Sequence, residues 1–255
     1  MTTFSDLGLC KPLLDALEAL NFATPTAVQL EAIPQVIAGR DLVASAQTGS
    51  GKTAAYALPI LDCLSESEGY PRALIITPTR ELAVQVHSQF ELFGAAMNLS
   101  AIPVYGGTAF EQQIKSLRKG VDVIVATPGR LLDHIERGNV DVSRVEMLVL
   151  DEADRLLDMG FMPQVRRIIS KVPTERQTLM FSATIDERVE YIAAQYLSEP
   201  VIIRVNTGHL EPQEIDQQIF HVHEFDKDAL LLRLLADANM STVVVFTGTR
   251  MRADW

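Results

Sequence analysis

The chain has 255 residues, 47% of them hydrophobic, enough to bury one full α/β core and begin another, which excludes a disordered chain. A formal charge of -11 and a pI near 4.9 exclude a broad basic surface, so any nucleic acid must be held by local contacts. Cys10 and Cys63 stand far apart without neighbouring His, which argues against a zinc site or disulfide framework and for reduced thiols. The start of the chain, Met1-Thr2-Thr3-Phe4-Ser5-Asp6, lacks a basic region followed by an apolar stretch, and no run approaches the roughly 18 apolar residues of a membrane span. The expectation is a soluble cytoplasmic protein with no membrane partner.

Short apolar, β-branched runs alternate with helical patterns along the chain. Strands are expected at residues 42–46, 73–77, 101–105, 121–127, 145–150, 178–182 and 201–205, and helices at about 53–64, 80–93, 109–119, 129–137, 162–172 and 187–196. This alternation predicts a parallel sheet with helices on both faces, and the near-continuous apolar run Met147-Leu148-Val149-Leu150 suits a strand covered on both sides. Residues 206–212 carry turn formers and little periodicity, which reads as a linker. A new alternation follows, with a strand expected at 215–222, a helix at 227–238 and a buried strand at 243–246. Two strands and a helix cannot close a second core, so the sequence reads as a piece of a longer protein. Neither part is basic: dividing after Thr207 gives 18 Lys and Arg against 25 Asp and Glu before the boundary, and 4 against 8 after it.

Ala46-Gln47-Thr48-Gly49-Ser50-Gly51-Lys52-Thr53 follows an apolar strand and opens a helix, fitting the phosphate-loop pattern except that Ala46 replaces its first glycine. Gly49 and Gly51 let backbone N–H groups approach phosphate oxygens at a helix N-terminus. Lys52 is placed to reach the β- and γ-phosphates of ATP, and the Thr53 hydroxyl to ligate Mg2+. Asp151-Glu152-Ala153-Asp154 follows the strand at 145–150, at the sheet edge where α/β proteins place ligands. Two adjacent acids there are costly to hold unless a cation shares them. Asp151 is then the magnesium partner, through water, and Glu152 the group that positions and deprotonates the attacking water. The bland reading is an acidic helix start. His87 and His134 fall within helical patterns and read as packed or solvated, and His221 and His223 lack an accompanying ligand set for a metal.

These residues resemble the DEAD-box family of ATP-dependent RNA helicases, bacterial type. Pro78-Thr79-Arg80-Glu81-Leu82, Gly106-Gly107, Thr127-Pro128-Gly129-Arg130 and Ser182-Ala183-Thr184 resemble that family's remaining first-domain motifs, in order along the chain. The resemblance implies a RecA-like P-loop NTPase fold for residues 1–207, a linker at 208–214, and the truncated start of a second RecA-like domain at 215–255. Phe22-Ala23-Thr24-Pro25-Thr26-Ala27-Val28-Gln29 resembles the family's adenine reader, with the Gln29 amide pairing and Phe22 stacking, inside a segment spanning 4–29. Asn21 stands where the family usually has glycine.

The resemblance further implies that Phe22, Thr24, Gln29 and Gln47 through Thr53 (Gln47, Thr48, Gly49, Ser50, Gly51, Lys52 and Thr53) contact the nucleotide. Thr79, Arg80, Gly107, Thr127 and Arg130 then contact the RNA backbone, and Asp154, Ser182 and Thr184 couple nucleotide state to unwinding. The nearest likeness is to members of the ribosome-assembly and RNA-decay type, so ribonucleoprotein partners are expected. Backbone N–H groups at helix starts, with Arg80 and Arg130, can bind phosphate without a basic domain, and such contacts read no base sequence. Without the resemblance, each arginine equally suits an exposed helix start paired with Glu81 or Asp133. Phe246-Thr247-Gly248-Thr249-Arg250 resembles the second domain's first motif. The arginines that domain supplies in the family are absent, so the chain alone is expected to hydrolyse ATP slowly.

Overall fold

A computed structural model describes residues 2–47, 49–205, 218–236 and 242–253. Its contacts separate two compact units, Met1–His209 and Leu210–Trp255. In the first unit, α1 (Lys11–Ala19) and α2 (Ala27–Ile37) precede β1 (Leu42–Ser45). There follow α3 (Lys52–Leu64), β2 (Ala73–Ile76), α4 (Arg80–Phe93), β3 (Ala101–Val104), α5 (Phe110–Leu117), β4 (Val123–Ala126) and α6 (Pro128–Glu136). Then come β5 (Met147–Leu150), α7 (Ala153–Asp158), α8 (Met162–Ile169), β6 (Gln177–Ser182), α9 (Glu187–Tyr196) and β7 (Val201–Arg204).

The seven strands form one sheet in the order β3-β4-β2-β5-β6-β1-β7, and every pairing is parallel. Successive strand residues face opposite layers because side chains alternate along a strand. Leu42, Ala44, Ile75, Val125, Val149 and Phe181 pack with α1–α4, whereas Val43, Leu74, Ile76, Ile124, Leu148 and Met180 pack with α5–α9. The five inner strands are therefore apolar on both faces, as the run at 147–150 implied, whereas the edge strand β7 exposes Ile202 and Arg204.

The strand order divides the carboxyl edge of the sheet. β5, β6 and β1 lie side by side and lead into Asp151, Ser182 and the loop before Lys52, while β3, β4 and β2 lead toward Gly107, Thr127 and Thr79.

Two elements of this unit were not read from the sequence. α1 is short, and α7 is a six-residue helix packed against β6 and α9 directly after the acidic segment. The helix expected at about 187–196 forms as α9, and its start at Glu187 is set by Asp186, the N-cap, which accepts from the Val189 N–H at 2.9 Å.

In the second unit, α10 (Lys227–Leu235) and α11 (Arg250–Ala253) are formed. The buried strand expected at 243–246 is not: these residues have no strand partner among the described residues, and Val244 and Phe246 are 73% and 93% exposed. An apolar run becomes a strand only beside another strand. Residues 218–222 of the strand expected at 215–222 likewise carry no strand, and residues 215–217, with the linker at 208–214, fall outside the described residues.

Candidate functional site

The turn after β1 delivers Lys52 to the first turn of α3, with Gly51 as N-cap in the left-handed region at φ 90°. A Cβ at Gly51 would stand 2.3 Å from Gln29 Nε2, so backbone conformation and close approach both require glycine here. Gln29 is buried on α2. Its Oε1 accepts from the Thr26 N–H at 2.9 Å and its Nε2 donates to the Gly51 carbonyl at 3.1 Å, tying the glutamine to the phosphate loop. One amide hydrogen and one oxygen lone pair remain for a base edge. Phe22 is 37% exposed and meets Phe93 edge-on at 5.7 Å, leaving ring area uncovered, and Thr24 is exposed nearby in sequence. Asn21 adopts φ 58°, which explains an asparagine where glycine is usual: both tolerate the left-handed region. Ala46 is buried without a positive φ, so its methyl group is accommodated. Gln47 and Gly49 are exposed, Ser50 is half-buried, and Thr48 lies outside the described residues.

Lys52 is 8% exposed, and its Nζ, like Ser50 Oγ, has no hydrogen-bond partner among the described residues. Buried donors are rarely left unmade. Asp151 lies opposite, 3% exposed, at the end of β5. The Tyr56 hydroxyl, one helical turn beyond Lys52, donates to Asp151 Oδ2 at 2.8 Å. Burial pushes the Asp151 carboxyl up to about 6, against the opposing pull of Tyr56 and of the Lys52 charge. Burial, with Asp151 beside it, also raises the Tyr56 hydroxyl well above its ordinary value, so it remains a donor. Thr53 follows Lys52, half-buried on α3.

Glu152 sits at φ 49°, a left-handed conformation unusual for a side-chain-bearing residue. Its carboxylate is held by the Arg155 guanidinium at 2.8 Å. The acids do stand at a helix start, Glu152 at the N-cap of α7 and Asp154 in its first turn, but Glu152 makes no side-chain cap bond to the helix. Asp154 Oδ2 accepts from the N–H groups of Ala183 and Thr184 at 3.1 and 3.0 Å and from Thr184 Oγ1 at 3.1 Å, while the Asp154 N–H donates to Ser182 Oγ at 3.2 Å. Burial alone would raise the Asp154 carboxyl, but these bonds outweigh it and the net shift is downward. The segments ending β5 and β6 are thus stitched together by four hydrogen bonds.

On the other half of the edge, Thr79 caps α4, its Oγ1 accepting from the Leu82 N–H at 3.2 Å, and Thr127 occupies the N-cap of α6. Arg80 lies over the Tyr105 ring at 5.0 Å and Gly107 takes φ 83° beside it. Arg130 NH1 donates to the Thr108 carbonyl at 3.1 Å and to Gln113 Oε1 at 3.2 Å. Neither arginine pairs with Glu81 or Asp133. His134 is fully buried in the same region, and burial lowers its pKa, which keeps it neutral. Tyr56, Tyr105 and Gln113 were not singled out from sequence. Tyr56 had a signal in its four-residue spacing from Lys52, but Gln113 had none.

A parallel α/β sheet with a buried lysine at a strand-to-helix glycine loop and a buried carboxylate at the end of a strand one further along the sheet defines a P-loop nucleotide-binding protein. Residues 26–192 match the DEAD/DEAH box helicase family, and the chain belongs to it. It is 41% identical over 254 residues to the DEAD-box ATP-dependent RNA helicase CshA of Geobacillus kaustophilus, covering 100% of this chain and 54% of that one. It is 40% identical over 250 residues to the ATP-dependent RNA helicase DeaD of Escherichia coli, covering 98% and 40% respectively. A crystal structure of a DEAD box protein from Methanococcus jannaschii superposes with a TM-score of 0.78 at 36% identity, covering 93% of this chain and 64% of that one. The chain therefore spans about half the length of the curated relatives it matches.

Proposed function

We propose that this chain is the ATP-binding domain and the start of the second domain of an RNA helicase that couples ATP hydrolysis to local remodelling of RNA duplexes. Residues 1–207 form the first domain in this reading, 208–214 the linker and 215–255 the beginning of the second. The observation that carries it is the buried, unpartnered Lys52 Nζ at the glycine loop together with the buried Asp151 carboxyl, which accepts only from the Tyr56 hydroxyl and the Glu152 N–H: a phosphate would satisfy the first and a magnesium ion would offset the charge of the second.

Bound ATP-Mg supplies the phosphoanhydride to be cleaved and the positive charge that neutralises its oxygens. The chain's own residues do the rest. Lys52 Nζ donates to the terminal phosphates, with backbone N–H groups of Gln47, Thr48, Gly49, Ser50 and Gly51 around them. Thr53 and Asp151 hold the cation. Phe22, Thr24 and Gln29 read adenine, and Gln29 passes its position to Gly51 directly. Glu152, released from Arg155, orients and deprotonates the attacking water. Asp154, Ser182 and Thr184 carry changes at β5 to β6. Thr79, Arg80, Gly107, Thr127 and Arg130 grip RNA phosphates and sugars without reading sequence. We place the protein in the cytoplasm, with ribonucleoprotein or ribosome-assembly partners, on its two free thiols and on its likeness to bacterial helicases.

Lys52→Ala tests the reading: a lost charge-assisted contact should weaken ATP binding by about ten- to a hundredfold, measured by fluorescent-nucleotide titration. Unchanged affinity would remove the phosphate-site assignment.

A further inference from the structure

The RNA-facing half of the edge contains a hydrogen-bond hub that the motifs do not include. Gln113, buried on α5, uses all four of its amide valences. Its Nε2 donates to the Tyr105 carbonyl at 3.0 Å and to Thr108 Oγ1 at 2.8 Å. Its Oε1 accepts from Arg130 NH1 at 3.2 Å and from His134 Nε2 at 2.9 Å. The amide orientation is forced, because arginine can only donate and a backbone carbonyl can only accept. His134 is then the Nε2–H tautomer, with Asn139 donating to Nδ1 at 3.4 Å.

An aromatic stack locks the same site from the side. The His134 and Phe110 rings lie parallel, 4.1 Å between centroids, and the Arg130 guanidinium sits 5.2 Å from the Phe110 centroid. Arg130 is therefore fixed through NH1 and its flat face, while Nε and NH2 make no hydrogen bond among the described residues. Several arginines of this acidic chain are steadied by carboxylates, as Arg72, Arg155, Arg167, Arg188 and Arg204 are. Arg130 is ordered by neutral groups instead. Its full charge stays available to an anion, whereas a carboxylate in the place of Gln113 would neutralise it.

We infer that Gln113 is a positioning residue for RNA binding: it holds Arg130 with the Tyr105–Thr108 turn, so that the arginine, Gly107 and Arg80 present one preformed phosphate-binding edge. The inference rests on the assignment of Arg130 to RNA, and its test separates the two. Binding of a short single-stranded oligouridylate would be measured by fluorescence anisotropy across a salt series for Arg130→Ala, Gln113→Ala, the double variant and the isosteric Gln113→Glu.

Arg130→Ala should weaken binding and lower the slope of log K against log salt by about 0.7, the share of one phosphate contact. If it does neither, the RNA assignment itself fails. With that effect established, Gln113→Ala should weaken binding roughly three- to tenfold, the worth of ordering one flexible side chain on binding. The double variant should then bind no more weakly than Arg130→Ala alone. Gln113→Glu keeps the side-chain shape but should weaken binding more than Gln113→Ala, by pairing with Arg130 and repelling phosphate. Wild-type binding by both Gln113 variants, or losses that multiply in the double variant, would overturn the positioning role. Should Gln113→Ala fail to fold, Gln113→Glu against Arg130→Ala still decides, because a lesion unrelated to Arg130 leaves the salt slope at the wild-type value.

Discussion

Asp151 stores a cost in the fold. Its carboxyl is buried and titrates at about 6, above the ordinary 3.8, so burial makes its ionisation costlier in the fold than in the unfolded chain. The sign follows by linkage. The penalty is absent below the unfolded value and complete above about pH 6, where it amounts to about 2–3 kcal/mol. Asp151→Asn removes the charge while keeping an acceptor for Tyr56. Without nucleotide, the variant should melt higher than wild type at neutral pH, by roughly 2–4 °C per kcal/mol in a unit of this size. The difference should fade as pH falls through 6, and calorimetry at two pH values checks it. A variant no more stable at neutral pH would mean that the Lys52 charge already compensates the carboxylate. Gly51 is the opposite case. Its φ of 90° and the 2.3 Å approach to Gln29 leave no room for a methyl group, so Gly51→Ala should lose stability and adenine selectivity together, seen as a reduced preference for ATP over GTP.

At the scale of elements, Asp122 shows what a single buried carboxylate does between strands. It sits just before β4, fully buried, and accepts from Ser67 Oγ at 2.8 Å, the Glu68 N–H at 3.1 Å, and the Ser100 N–H and Oγ at 2.8 and 2.9 Å. Burial pushes its carboxyl up, but bonds from Ser100, Ser67 and Glu68 outweigh this and the net shift is downward. Its stabilisation is therefore present above the ordinary carboxylate range and lost as pH falls through the depressed value. Asp122→Asn turns one acceptor oxygen into a donor facing donors, and should cost about 2–3 kcal/mol at neutral pH by urea unfolding. That deficit should shrink in acid.

Nothing in the sequence marks Asp122, because its partners are 22 to 55 residues away. Gln113 is hidden although its partners lie 5 to 21 residues away, because a lone glutamine in a helical pattern does not show which groups the fold brings to it. The strands were legible because burial on both faces demands continuous apolar runs, and Lys52 and Asp151 because phosphate chemistry fixes local spacing. α7 was missed because six residues are too few to show a period. The run at 243–246 reads as a strand from composition alone, yet a strand depends on a neighbour that composition does not contain.

At the scale of the whole molecule, the proposed reading gives the first unit a nucleotide half and a polynucleotide half along one sheet edge, with its charge chemistry unfinished. In that reading the buried Lys52 is the cation for the phosphates, while Arg80 and Arg130 lie on the other half of the edge. Transfer of a phosphoryl group spreads negative charge over its equatorial oxygens, and an additional arginine there is worth roughly 10³–10⁵ in rate. In the proposed reading that arginine comes from a complete second domain, of which 215–255 is the start. The chain should accordingly bind ATP but turn it over very slowly, with little stimulation by RNA, while a chain extended through the second domain should show RNA-stimulated hydrolysis. Glu152→Gln in the extended chain should keep ATP affinity and abolish turnover, because an amide cannot take the proton of the attacking water. Steady-state phosphate release, measured with and without RNA on all three proteins, decides the matter. Full RNA-stimulated turnover by the 255-residue chain alone would show that the transferring phosphoryl group needs no arginine from outside it.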